Sequence, residues 1–239
     1  MTPTSTSRRV LITGASRGLG LELARQYAAD GWSVHAACRR PDAASELQAL
    51  AGASTGGEVH VHPLDVTRSE SVRQLAAELA GASIDLLLNN AGVLGARDSG
   101  QQFGSLDYER WLDVLDVNTL GPMRVAETFA DMVAASDGKL VVTITSGMGS
   151  IEQNSGGYYL YRTSKAAVNC AMRGLAQDLR ARGVIVALLH PGWVRTDMGG
   201  RSASLSPEES VAGMREVIAG LGPESSGRFF DWQGRTIPW

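Results

Sequence analysis

Tyr161 and Lys165 stand four residues apart in Tyr161-Arg162-Thr163-Ser164-Lys165. On a helix that spacing puts both side chains on one face. A phenol with a pKa near 10 is a poor base at neutral pH. An ammonium about 4–6 Å away favours the phenolate and lowers that value. Such a pair can exchange a proton with a substrate oxygen. The bland alternative is a packing tyrosine beside a surface lysine, since the spacing is common on helices. Tyr158 and Tyr159 are followed four residues on by Arg162 and Thr163, so neither is equivalent.

What tips the balance towards chemistry lies upstream. Residues 13–20 read Thr-Gly-Ala-Ser-Arg-Gly-Leu-Gly, between an apolar stretch and an amphipathic one. Gly14, Gly18 and Gly20 allow a tight turn and close backbone approach to a pyrophosphate, with Ser16, Arg17 and Leu19 between them. A helix opening there offers free N–H groups and a positive dipole end. The placement after a first strand gives the pattern its weight, because glycine turns also serve packing. The second apolar stretch, 33–38, runs into Arg39-Arg40. An NAD-specific site places a carboxylate there. A guanidinium fork instead matches a 2′-phosphate, so Arg17 and Arg39 point to NADP(H) over NAD(H). The alternative is a solvated arginine pair in a loop.

These residues need a scaffold, and the patterning supplies one. Stretches 10–13, 33–38, 59–64, 84–89, 140–145 and 184–190 are rich in Val, Ile and Leu without clean polar alternation. They read as strands of a parallel sheet buried on both faces. Between them, 18–30, 43–51, 69–80, 107–135 and 157–182 read as helices, and another starts near Pro207. The alternation predicts a doubly wound α/β fold. Thr67 or Ser69 is a candidate cap for the third helix, and Ser206-Pro207-Glu208-Glu209 has the form of a capping box. Gly31, Gly81 and Gly183 are expected to end helices in the left-handed conformation. Ser146 follows the fifth strand, and ligands of such sheets sit beyond the carboxyl ends of strands. Its hydroxyl can hold a substrate oxygen and steady a developing alkoxide, or simply cap a loop. Asn118 falls inside the 107–135 helix, where an Asn is unfavourable by propensity. No composition shift divides the chain, so 1–239 reads as one domain.

In order along the chain, Thr13–Gly20, Asp65-Val66, Asn89-Asn90-Ala91-Gly92, Ser146 with Tyr161-x-x-x-Lys165, and Pro191-Gly192 resemble the short-chain dehydrogenase/reductase family, in its non-extended branch. Within it, Gly156-Gly157-Tyr158-Tyr159 and Phe229–Gly234 are most similar to the C-factor and sniffer-type carbonyl reductases. The resemblance implies a seven-stranded parallel sheet with 228–231 as its last strand. It implies that Asn118, Ser146, Tyr161 and Lys165 form a catalytic set, with the Asn118 carbonyl holding a water beside Lys165. It implies that Asp65 and Val66 meet the adenine, and that Asn90, Ala91 and Gly92 lie under the adenosine. Tyr161 and Lys165 would also touch the cofactor, while Pro191, Gly192, Val194 and Thr196 would hold the carboxamide. One departure is the 15-residue interval from Ser146 to Tyr161, slightly long for the family, which suggests a longer loop over the substrate.

The expected activity is hydride transfer between a nicotinamide and a carbonyl or secondary alcohol. The alternative is a non-catalytic dinucleotide-binding signalling or regulatory protein. Residues 193–206, with Gly199, Gly200 and small polar neighbours, read as a mobile substrate loop. Trp193, Met148, Met198 and Tyr159 are candidates for an apolar pocket wall. The composition is consistent with this reading. The chain is 44% apolar and 20% charged over 239 residues, which excludes a disordered chain. A net charge of −3 gives no general attraction for nucleic acid or anionic membrane. The apolar runs fall far short of the roughly 18 residues of a membrane span. Residues 1–9 are too polar for a signal peptide. Two cysteines and four histidines form no disulfide framework or metal set. A cytoplasmic homodimer or homotetramer is expected, with Phe229, Phe230, Trp232 and Trp239 as a candidate interface.

Overall fold

The computed structural model describes residues 7–53, 56–95 and 99–239; residues 1–6 of the polar amino-terminal stretch lie outside it. Seven strands form one sheet: β1 (Arg9–Thr13), β2 (Ser33–Cys38), β3 (Val59–Pro63), β4 (Leu86–Asn89), β5 (Leu140–Ile144), β6 (Ile185–His190) and β7 (Phe229–Asp231). Their order is β3-β2-β1-β4-β5-β6-β7, every pair parallel. This is the doubly wound fold expected from the patterning. The chain reverses direction across the sheet between β1 and β4, and that switch point opens a crevice at the carboxyl ends of the strands.

The lack of polar alternation has its reason in two cores. One face carries Leu11, Leu87, Val141 and Val186 against α3 (Ser69–Glu78), α5 (Gly121–Ala134) and α6 (Tyr159–Asp178). The other carries Val10, Ile12, Leu86, Leu88 and Val142 against α1 (Gly18–Ala29), α2 (Ser45–Gly52) and α7 (Pro207–Ala219). Leu86, Leu87 and Leu88 are all fully buried, so truncating any one to Ala costs about 2–5 kcal/mol. Ser206 forms the expected capping box on α7, and Gly31, Gly81 and Gly183 adopt φ of 80°, 86° and 72°.

Three expectations are corrected, and a fourth is narrowed. The 107–135 helix is three pieces: α4 (Tyr108–Leu115), a π-helical turn (Asp116–Leu120) and α5. Pro122 is the cause, because in an unbroken α-helix its missing N–H would have served the Asn118 carbonyl. Neither Thr67 nor Ser69 caps α3. Its N-cap is Arg68, and the Thr67 hydroxyl donates to Asp65 Oδ1 instead. The 157–182 stretch becomes helical only at Tyr159, because Tyr158 is left-handed at φ 49°. Of the carboxyl-terminal aromatics, Phe229 and Phe230 are buried within their own chain, whereas Trp232 and Trp239 are half-buried, Trp239 lying 5.9 Å from Phe229 and under Arg173.

Candidate functional site

A cavity of about 550 Å³ occupies the switch-point crevice. Its floor is the β1–α1 turn, held by a dense set of hydrogen bonds. The Thr13 hydroxyl accepts from the backbone N–H groups of Asn90 and Ala91, each at 3.0 Å. The Asn90 amide donates to the carbonyls of Thr13 and Gly14 at 2.9 and 3.2 Å. The first two strand ends at the switch point are thus tied together by side chain to backbone.

The glycines have a different job from the one their spacing suggests. A Cβ on Gly20 would lie 2.2 Å from the Gly14 carbonyl oxygen, and one on Gly14 would lie 2.8 Å from Ala91 Cα. Both are required by the approach of protein backbone to itself. Gly14 and Gly18, at φ 69° and 55°, are the turn's left-handed residues. Arg17 is the N-cap of α1 and gives no side-chain cap. The leading N–H groups of α1 thus border the cavity without a side-chain acceptor, which fits an anionic ligand. The dinucleotide reading therefore passes a test of local geometry.

Ser16, Arg17, Leu19, Arg39, Asp65, Val66, Asn90, Ala91 and Gly92 also line the cavity, as do Tyr161, Lys165, Pro191 and Thr196 at its far end. Gly192 lies against Leu205 and Trp232, and Val194 is buried in a bridge with Leu205. Burial pushes the Asp65 carboxyl up, but hydrogen bonds from Thr67 and the charges of Arg39 and Arg68 outweigh it and hold the group below its ordinary pKa. Arg39 is thus close enough to Asp65 to share its field. Arg17 is engaged elsewhere, paired with Asp197 at 2.7 Å.

α6 presents Tyr161 and Lys165 on one buried face, with the Lys165 ammonium nitrogen 5.7 Å from the phenol ring centre. Lys165 donates to the Ile144 carbonyl at 3.1 Å. Burial pushes the Tyr161 phenol up to about 12, against a hydrogen bond with Ser146 that acts the other way. Burial pushes Lys165 down to about 8. The expected lowering of the phenol by the ammonium is not what the protein alone does, because taking each charge out of water costs more than their separation returns. The Ser146 hydroxyl is near enough to the phenol to act on its pKa, and it accepts from Met148 N–H at 3.2 Å, which is the loop-capping role.

Asn118 is buried on the π-helical turn. Its amide exchanges two bonds of 2.8 Å with the backbone of Val93 and donates to Ser164 Oγ at 3.0 Å. The Thr119 hydroxyl bonds the Ser164 carbonyl, so the turn is docked on α6 beside Lys165. The side chain is therefore structural, and only the backbone carbonyl is left for chemistry.

Two residues of the site escaped the sequence reading. Gln101, fully buried, accepts from Tyr161 N–H at 3.1 Å and donates to the Leu94 carbonyl at 2.9 Å. It supplies the first turn of α6 with an acceptor that Tyr158 does not give. Sixty positions separate Gln101 and Tyr161, and no local spacing signals such a bond. Asp197 was also missed, although its place in the glycine-flanked loop beside Thr196 was a signal. Among the described residues no group of His, Cys, Asp and Glu could hold a metal, and no helix is long and apolar enough to cross a membrane.

The short chain dehydrogenase family matches residues 8–205. The C-signal of Myxococcus xanthus is 45% identical over 169 residues, covering 70% of this chain and all of that one. The carbonyl reductase Sniffer of D. melanogaster superposes with a TM-score of 0.89 at 30% identity, over 98% of this chain and 100% of that one. The NADPH-bound carbonyl reductase from chicken fatty liver does so with a TM-score of 0.89 at 32% identity, over 98% and 99%.

Proposed function

Because the chain belongs to the short chain dehydrogenase family, we propose that it is an NADP(H)-dependent carbonyl reductase, moving hydride between a nicotinamide and a carbonyl or secondary alcohol. One observation carries the reading. Tyr161 and Lys165 are buried together, with the Lys165 ammonium 5.7 Å from the phenol ring centre, at the far end of the crevice that begins at the glycine turn. In this reading residues 1–239 act as one catalytic domain and 193–206 as its substrate loop. The turn from Gly14 to Gly20 holds the pyrophosphate and Arg17 and Arg39 the 2′-phosphate. Asp65 and Val66 border the adenine, and Asn90, Ala91 and Gly92 the adenosine. Tyr161, Lys165, Pro191 and Thr196 border the nicotinamide end, while Gly192 and Val194, expected beside it, shape the turn behind the lining instead.

The bound nicotinamide supplies or takes the hydride at its C4. The chain's own groups handle the proton. During reduction Tyr161 Oη donates to the carbonyl oxygen, and burial keeps the phenol protonated at neutral pH for that purpose. The Ser146 hydroxyl hydrogen-bonds the same oxygen as it becomes an alkoxide. Lys165, at about 8, is mostly an ammonium at pH 7 and returns the proton to Tyr161. The Asn118 carbonyl anchors the water that links Lys165 to solvent. Reduction should accordingly slow as pH rises through about 8, where Lys165 loses its proton.

The test is a panel of ketones, aldehydes and quinones assayed with NADPH and NADH, with Tyr161→Phe as control. Tyr161→Phe should lower kcat by about 10²–10⁴, and intact turnover would sink the mechanism. Arg39→Asp should raise the Michaelis constant for NADPH and leave that for NADH little changed. The likeness to C-signal favours one second reading, a dinucleotide-binding signalling protein. NADPH binding with no turnover across the panel would select it. An exposed apolar strip of Tyr108, Leu112 and Leu120 supports self-association into a homo-oligomer, which light scattering checks.

A further inference from the structure

The substrate loop and the glycine turn share one guanidinium. Arg17, proposed above as a phosphate ligand, is ion-paired with Asp197 at 2.7 Å. The next residue, Met198, has its thioether 3.9 Å from the Tyr161 hydroxyl, which donates to it. Asp197 and Met198 sit on one tight turn. Thr196 N–H donates to the Val194 carbonyl at 2.8 Å, Gly200 N–H to the Thr196 carbonyl at 2.9 Å, and Gly199 N–H to Thr196 Oγ1 at 3.2 Å. Trp193 Nε1 closes the same turn on the Gly199 carbonyl at 2.9 Å. A displacement of Asp197 therefore moves Met198 with it.

We propose that Asp197 is a positioning residue that holds Met198 over the Tyr161 hydroxyl until a phosphate of the cofactor takes Arg17 from it. The argument rests on the NADP(H) reading above. Both side chains of the pair are about three-quarters exposed, so the pair is a weak one. A 2′-phosphate carries up to two negative charges and three acceptor oxygens, and it outcompetes one carboxylate for the guanidinium. Asp197 is then left beside a like charge, which drives it away. Met198 leaves with it, and the hydroxyl that had a sulfur acceptor becomes available to a carbonyl oxygen. Cofactor is thereby made to bind before substrate.

The test uses 2′,5′-ADP, which carries the 2′-phosphate but no nicotinamide that could push Met198 directly. Its dissociation constant, and that of 5′-AMP, are measured by calorimetry for the native chain, Asp197→Asn and Arg17→Ala. Oxidation of Met198 by dilute peroxide is followed by mass spectrometry with and without 2′,5′-ADP. Asp197→Asn should bind 2′,5′-ADP up to about fivefold more tightly, the ceiling for an exposed pair, with 5′-AMP unchanged. In the native chain 2′,5′-ADP should speed Met198 oxidation about two- to threefold. In Asp197→Asn the rate should be high without it. Unchanged affinity in Asp197→Asn, with Arg17→Ala weakened, overturns the latch and leaves the cofactor reading standing. Equal binding of 2′,5′-ADP and 5′-AMP to the native chain overturns both.

Discussion

The β1–α1 turn and the loop after β6 face each other across the cavity and are held by opposite means. The turn is fixed by partly buried bonds: four hydrogen bonds among six polar atoms of Thr13, Gly14, Asn90 and Ala91 join two strand ends, and Gly14 and Gly20 bring backbone onto backbone. The loop is anchored at its root by buried Val194 paired with Leu205, but its tip is held only by its own local turn, an exposed ion pair and an indole N–H, with Trp193 and Met198 themselves exposed. Buried bonds in a low-dielectric setting resist opening, whereas exposed ones exchange readily with water and ligand. A protein that must grip one ligand tightly and admit another transiently is built this way.

The largest effect that could break the contrast comes from a single methyl group. Gly20→Ala puts a Cβ 2.2 Å from the Gly14 carbonyl oxygen and 2.6 Å from the Asn90 amide nitrogen. Neither neighbour can yield without losing the turn. Destabilisation of at least about 2 kcal/mol is expected, with loss of nucleotide binding. Thermal melts and NADPH titration check it, and a variant that binds normally would show that the turn is as pliable as the loop.

How much of this was readable beforehand follows from the range of each interaction. Sheet, crevice and the Tyr161–Lys165 face depend on periodicity and short spacing, which a sequence displays directly. The break at Asp116–Leu120 was also displayed, by Pro122, but the hydrophobic period ran through it and masked it. Gln101 was not displayed at all, because its bond to Tyr161 N–H is made by folding, between positions far apart in the chain. The balance of charge around Tyr161 was misread for a further reason. Spacing reveals the ammonium, but only the fold reveals that both groups are buried.

A middle-sized effect sharpens the claim that the fixed side contributes backbone chemistry. Pro122→Ala supplies an N–H able to occupy the Asn118 carbonyl, without touching Asn118, Lys165 or Tyr161. If that carbonyl serves the proton relay, kcat for carbonyl reduction should fall about tenfold while the Michaelis constants hold, a small share of what positioned proton transfer contributes. Stability should shift by no more than about 1 kcal/mol. Unaltered kcat would remove Asn118 from the mechanism and leave it a structural amide.

Acid tests which side yields first. Burial, followed by the nearby charges of His62, His60 and Arg9, pushes His35 on β2 down to about 4. Burial, opposed by Asp231, pushes His190 on β6 down to about 4. Both folded values lie below the ordinary 6.5, so the unfolded chain takes these protons first. Stability is then full above pH 6.5 and falls as pH drops towards 4. Melting temperature should decline by several degrees across that window. His35→Gln should flatten the decline from the nucleotide side and His190→Gln from the loop side. A melting temperature constant from pH 7 to 4.5 would mean that neither histidine is held neutral.

The smallest effect is the counterpart of the first. Gly200, in the loop, also has a positive φ, 79°, but a Cβ there meets nothing within 4 Å. Gly200→Ala should therefore cost only the left-handed penalty, about 1 kcal/mol, and part of that is offset by a less flexible unfolded chain. NADPH affinity should be unchanged, because the substitution leaves the hydrogen bonds of the β1–α1 turn alone. The Michaelis constant for the carbonyl substrate should move instead, since the same strain falls on the segment carrying Met198. A loss of nucleotide binding in Gly200→Ala comparable to that in Gly20→Ala would mean that the two sides of the cavity are one mechanical unit, and the division drawn between them would fail.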